Sequence, residues 1–143
     1  GWYIDERCKP QVWTRADDAD PSNKFMQLIS IDPTYTVHVD QNVLIDPAWK
    51  QVVVSARVRA SPDFNPGSKA ASGVTFSFQS EDRKTRVPGG AALVIKSGDG
   101  KNWTELEHAV KVPAGAKRVY LQCVVAYTKG TVDFDNVKVR GLK

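Results

Sequence analysis

The sequence predicts an all-β protein, a single-domain β-sandwich or jelly roll of mostly antiparallel strands, and three observations carry that reading. Apolar and polar residues alternate with period two along most of the chain, and no stretch longer than a turn shows helical periodicity. The strand-like runs are short and are separated by clusters of Gly, Pro, Asn and Asp. The 143 residues suffice for one self-sufficient core, and no linker or composition break divides them, so residues 1–143 read as one domain.

Taken in order, the elements number eight or nine. After the acidic loop RADDADPSN (15–23), KFMQLI (24–29) is a short strand. YTVHVDQNVLI (35–45) sets Val37, Val39, Val43 and Ile45 against His38, Asp40 and Asn42. The turn DPAW (46–49) follows, with Pro where a turn tolerates it. KQVVVSARVRA (50–60) sets Val52, Val54, Ala56 and Val58 against Ser55, Arg57 and Arg59. A Pro/Gly/Ser loop leads to GVTFSFQSE (73–81), whose inner face is Val74, Phe76 and Phe78. RKTRVPGG (83–90) reads as a connection, AALVIKS (91–97) as a strand, and GDG (98–100) as a tight turn into NWTELEHAVKVP. The turn AGAK then gives way to RVYLQCVVAY (118–127).

The last element, GTVDFDNVKV (130–139), changes parity within itself. Val132 and Phe134 point one way, whereas Val137 and Val139 belong to the opposite register. One extra residue restores a common inward face, which predicts a β-bulge at Asp135-Asn136 that aims a carboxylate out of the ladder.

Charge and cysteine content exclude several classes. The net charge of +4 is spread over scattered Lys and Arg, without the basic stripe and module of a nucleic-acid binder. No run approaches the roughly 18 consecutive apolar residues of a membrane span. Cys8 and Cys123 have no CxxC or HxxxH companions, so zinc is not indicated; a disulfide between them and a buried free Cys123 are alternatives. The start GWYIDERC lacks an initiator Met and a signal pattern, so the chain reads as a piece of something longer.

Three stretches carry a family resemblance: VVVSARVRA, NWTELEHAVKVPAGAKRVYLQCVV and GTVDFDNVKV. In order and spacing they resemble carbohydrate-binding modules of the families 4, 9, 16 and 22 type, over roughly residues 35–140. Those modules share the galactose-binding-like jelly roll. SGDGKNWTEL (97–106) also resembles the Asp-Gly-x-x-Trp hairpin of discoidin-type domains, a sibling in the same fold. The opening strand Asn-x-x-Phe-Glu of the modules has no counterpart here.

The resemblance implies a structural calcium ligated by the first acid of the closing pair, here Asp135, with Asp20 or a neighbour from the loop of Asp17 and Asp18. The alternative is that these acids are simply solvated. It also implies a sugar-binding sheet face at Tyr120 and Gln122, with Val124 where an acid is often found. Sugars need aromatic faces for C–H stacking and planar polar groups to read hydroxyls. His38 alternates outward and is placed on that face, as are Arg57 and Arg59, which would suit an acidic sugar through bidentate contacts. Trp2, Tyr3 and Trp13 in the irregular N-terminal region are candidates for a loop platform or, alternatively, for sealing the end of the sandwich. Tyr127, at a hairpin tip beside Lys129, is a more exposed candidate, and Trp49 and Trp103 are candidates for buried anchors.

Catalysis has no footing in the sequence. Glu105 and Glu107 alternate on a strand rather than forming a glycosidase pair, and no Gly-x-Ser-x-Gly elbow exists. The expected function is therefore a non-catalytic polysaccharide-binding module, taking neutral or acidic glycans. It would be a monomeric unit of a secreted or cell-surface protein, with no nucleic-acid or membrane partner. The alternative is a structural spacer or protein-interaction domain of a multimodular extracellular protein.

Overall fold

The computed structural model describes residues 1–67 and 69–143. Its strands are β1 (Tyr3–Ile4), β2 (Val12–Ala16), β3 (Lys24–Ser30), β4 (Thr36–Leu44), β5 (Gln51–Ala60), β6 (Gly73–Gln79), β7 (Arg86–Val94), β8 (Thr104–Lys111), β9 (Arg118–Ala126) and β10 (Gly130–Leu142). A single 3-10 turn spans Lys9–Gln11. The strands form two five-stranded antiparallel sheets, in the orders β1-β4-β9-β6-β7 and β2-β3-β10-β5-β8. We name them by their central strands, the β9 sheet and the β10 sheet. The predicted all-β sandwich is the observed architecture.

Alternation decides which residues fill the space between the sheets. From the β9 sheet come Val37 and Val39, Val74, Phe76 and Phe78, and Val119, Leu121, Cys123 and Val125. From the β10 sheet come Leu28, Val52, Val54, Ala56, Val58, Val132 and Phe134. All are buried. Every strand whose parity places an apolar row on one face leaves the other row for solvent or function.

The predicted bulge is present. Asp135 pairs with Arg57 and Lys138 with Ser55, so Asn136 and Val137 together oppose Ala56. Asn136 takes the left-handed backbone at φ 50°, which Asn tolerates better than most residues. Val137 and Val139 thereby return to the core side.

Two readings of the sequence are corrected. RVPGG is not a connection but the first half of β7: Val87 pairs with Phe78 and Ala91 with Phe76, and Pro88–Gly90 bulge between them. A Cβ on Gly90 would stand 2.3 Å from the Phe76 carbonyl oxygen, so this strand crossing needs glycine. The disulfide alternative also falls, since both cysteines are free and buried. Cys123 points into the core, where burial pushes its thiol pKa far above the ordinary value. Two short strands, β1 and β2, were missed in the irregular N-terminal region. Among the described residues, no helix is long and apolar enough to cross a membrane.

Trp49 is the expected anchor. It packs against the core edge, and its ring lies over Gly141, where an added Cβ would sit 1.9 Å from the indole. Gly141→Ala should therefore destabilise by about 2 kcal/mol through overpacking, read as a lower denaturation midpoint at unchanged slope.

Candidate functional site

The outer face of the β10 sheet is spent on itself. Arg59 Nη2 lies 2.8 Å from Asp133 Oδ2, and Arg57 Nη1 lies 3.3 Å from Asp135 Oδ2. Gln27 Nε2 donates to Asp133 at 2.9 Å and Asn23 Nδ2 to Asp135 at 2.9 Å. Arg59 lies over both Phe25 and Trp103, Arg57 lies over Trp103, and the two rings meet edge to face at 5.4 Å. Trp103 is thus structural as expected, but it covers the outside of the sheet rather than the core. Phe25 is buried by this cover although its parity is outward.

This overturns the placement of Arg57 and Arg59 beside Tyr120 and Gln122. Parity correctly turned all four outward, but parity does not say which sheet a strand joins. β5 lies next to β10 and β9 next to β4, so the two arginines and the two β9 side chains face opposite sides of the molecule.

The outer face of the β9 sheet is different in kind. Register places Asp40, Gln122, Thr75 and Ala92 in one row across four strands, with Tyr3 of β1 opposite Asp40. The next row holds Asn42, Tyr120 and Ser77, and the one after it Leu44, Arg118, Gln79 and Arg86. His38 lies one row the other way, opposite Val124. A depression of about 590 Å³ runs over Thr75, Ser77, Gln79, Arg86, Tyr120 and Gln122. A neighbouring one of about 470 Å³ continues past Tyr120 to Asp40, Asn42, Arg118 and Tyr3. Tyr120 borders both.

A hydrogen-bonded cluster lies in the floor. Gln122 Nε2 donates to Asp40 Oδ1 at 2.9 Å and to the Tyr120 hydroxyl oxygen at 3.2 Å, and His38 Nδ1 contacts Asp40 Oδ1 at 2.9 Å. Burial, then the hydrogen bond with Asp40, raises the Tyr120 pKa far above its ordinary value, so the phenol stays neutral and keeps its proton. Side chains held by one another in this way present fixed donors and acceptors at low ordering cost.

The remaining predicted residues divide. Trp2 packs against the core, as the end-sealing alternative has it, whereas Tyr3 is 64 % and Trp13 47 % exposed. Alternation at β1 could have distinguished Trp2 from Tyr3 had the strand been recognised. Tyr127 is part-exposed at the sandwich end with backbone φ 50°, beside Lys69. It borders a separate hollow with Tyr35 and Thr36, which reaches His38. Asp20 caps its own turn through the Ser22 hydroxyl and backbone N–H.

Asp135 was expected to offer its carboxylate to calcium. It is 7 % exposed, its Oδ2 accepts from Asn23 and Arg57, and its Oδ1 accepts the Asn136 backbone N–H. A cation on Oδ2 would have to displace Arg57 and Asn23, and Oδ1 already accepts a backbone N–H, so the groups around this carboxylate suit an arginine better than a metal ion. Among the described residues, no three His, Cys, Asp or Glu side chains gather closely enough to hold a metal ion.

No protein-family model matches the chain, and no curated protein matches it in sequence. Solved structures do match. The enzymatically active domain of tailspike protein 4 from bacteriophage CBA120 aligns at TM-score 0.73 and 14% identity, over 92% of this chain and 18% of that one. A family 16 carbohydrate-binding module aligns at TM-score 0.63 and 16% identity, over 91% and 85% of the two chains. The CBM22-1 and GH10 modules of Clostridium thermocellum xylanase 10B align at 0.60 and 13% identity, over 100% of this chain and 26% of that one. The chain thus spans only a minor part of the tailspike and xylanase chains and most of the isolated module. At these identities the likeness establishes the fold alone, a β-sandwich that this chain shares with carbohydrate-binding modules and with part of the tailspike chain.

The Asp135 geometry has a direct thermal consequence. Melts in calcium and in chelator should coincide, while Asp135→Ala should cost about 2 kcal/mol in both by stranding Arg57, Asn23 and the Asn136 N–H. A midpoint that rises with calcium in the parent protein and not in the variant would show that the cation takes Asp135 from Arg57.

Proposed function

We propose that this chain is a non-catalytic polysaccharide-binding module whose ligand lies across the outer face of the β9 sheet. The observation that carries the reading is the Asp40–Gln122–Tyr120–His38 cluster set in an open trough and bordered by the exposed ring of Tyr3. Such a face supplies what a glycan needs: a ring for C–H stacking, a carboxylate to accept hydroxyls and an amide to read them. The shared fold supports it, and the Clostridium thermocellum xylanase modules were solved with xylohexaose.

The carboxylates elsewhere serve other ends. Glu105 and Glu107 stand exposed on β8, and Glu107 lies 3.5 Å from Arg140. We read no catalytic set from them. A module of this kind, part of a longer secreted or cell-surface protein, raises the effective concentration of an attached partner at its glycan. A second reading makes the sandwich a structural or protein-interaction unit of a multimodular chain, and the alignment over only 18% of the tailspike chain is compatible with it.

Affinity gels containing neutral and acidic polysaccharides separate the two. The binding reading predicts retarded migration on at least one glycan, and a loss of that retardation of tenfold or more in Tyr120→Ala, with a melting midpoint within a few degrees of the parent protein. Free migration on every polysaccharide would leave the spacer reading standing.

A further inference from the structure

We infer that the trough on the β9 sheet carries an anion-binding subsite at Arg86, Gln79 and Arg118, and that its ligand is an acidic polysaccharide. This inference rests on the binding reading above and adds the charge class of the ligand.

The three residues stand directly opposite one another on β7, β6 and β9. Two strand spacings place the arginine backbones about 10 Å apart, with Gln79 between them. Parity turns all three outward, and both hollows reach them: Arg86 and Gln79 border one, and Arg118 borders the other together with Arg83. Arg83 is held at the β6–β7 turn in the left-handed backbone, φ 62°.

The charges there are unspent. Among the described residues, the ion pairs involve Arg7, Lys9, Arg57, Arg59 and Arg140, and none involves Arg83, Arg86 or Arg118. The acids of the adjoining turn do not neutralise them by pairing. Asp82 is consumed by Ser80, Lys84 and Thr85 within the turn, and Glu81 is exposed without an ion pair. Asp40 lies two rows away and is engaged by Gln122 and His38.

A second observation is independent of net charge. Arg118 Nε is a buried donor without a hydrogen-bond partner, whereas Gln79 Oε1, also buried and unpartnered, is an acceptor that calls for a ligand hydroxyl rather than an anion. Buried polar groups are nearly always paired, and unpaired ones call for a reason. The pairs on the opposite sheet show what this chain does with arginines that serve the fold: each is matched to an aspartate and covered by a ring. At Arg118 and Arg86 the matching anion is missing from the protein, and a planar carboxylate of a uronic acid, or a sulfate ester, supplies the acceptors a guanidinium fork takes.

Retardation on polygalacturonate, dextran sulfate, β-1,4-galactan and dextran tests this. The expected result is retardation on polygalacturonate or dextran sulfate, strong at 20 mM salt and reduced at least tenfold at 0.5 M. Which of the two polymers retards more tells carboxylate from sulfate. Arg86→Gln/Arg118→Gln should abolish it, while Lys111→Gln/Lys138→Gln, which removes the same charge from the other sheet, should retain most of it. Circular dichroism confirms that both variants fold. Retardation on a neutral polymer alone, or acidic binding equally weakened by the two double variants, would overturn the subsite while leaving the trough as the glycan site. Free migration on all four and on every other polysaccharide tried would overturn the binding reading with it.

Discussion

The pairing of β10 with β5 is the constraint on which the rest of the molecule depends, because it must satisfy a ladder and two faces at once. β10 lies at the centre of its sheet and runs from Gly130 to Leu142. Its first half buries Val132 and Phe134, and its second half must bury Val137 and Val139, which a regular strand would turn outward. The bulge at Asn136 resolves the conflict by inserting one residue opposite Ala56. The same bulge fixes Asp135 against Arg57, just as Asp133 stands against Arg59. Backbone registry and side-chain charge thus choose the same pairing.

That choice gives the two outer faces opposite characters. On the β10 sheet, carboxylates, guanidiniums, amides and aromatic rings are matched to one another within the fold. A pair of this kind, with one partner nearly buried, is valuable chiefly because breaking it leaves a stranded charge. It offers little to a ligand, since any new contact must first undo an existing one. On the β9 sheet, hydrogen bonds hold Asp40, Gln122 and Tyr120 in position, while Arg118 Nε and Gln79 Oε1 remain unmatched. Order without full satisfaction is what a preorganised binding face requires.

The sequence was informative wherever period two was informative. Apolar rows such as Val37-Val39 and Val119-Leu121-Cys123 named the core, and the parity change after Phe134 located the bulge to within one residue, at Asn136-Val137 rather than Asp135-Asn136. It failed where sheet membership mattered. Arg57 and Tyr120 both alternate outward, and only the strand order, with β5 beside β10 and β9 beside β4, separates them by the thickness of the sandwich. It failed again where local chemistry imitates a turn: Pro88-Gly89-Gly90 reads as a connection but forms a bulge in β7. Tyr120, Gln122 and His38 were named from the resemblance and from parity, and they do share a face. Arg86 and Arg118 were passed over as scattered charge, because the Gln79–Arg86 hairpin pair meets Arg118 only once β9, distant in sequence, lies beside β6.

The central claim is that the β9 sheet is the ligand face and the β10 sheet a closed structural one. The most direct test is a backbone amide NMR titration with soluble oligosaccharides of the glycan that retards the protein. The account predicts shift changes concentrated in β4, β6 and β9, at Asp40, Gln122, Tyr120 and their cross-strand neighbours, with β3, β5 and β10 unmoved. Changes centred instead on Arg57, Arg59, Asp133 and Trp103 would contradict it.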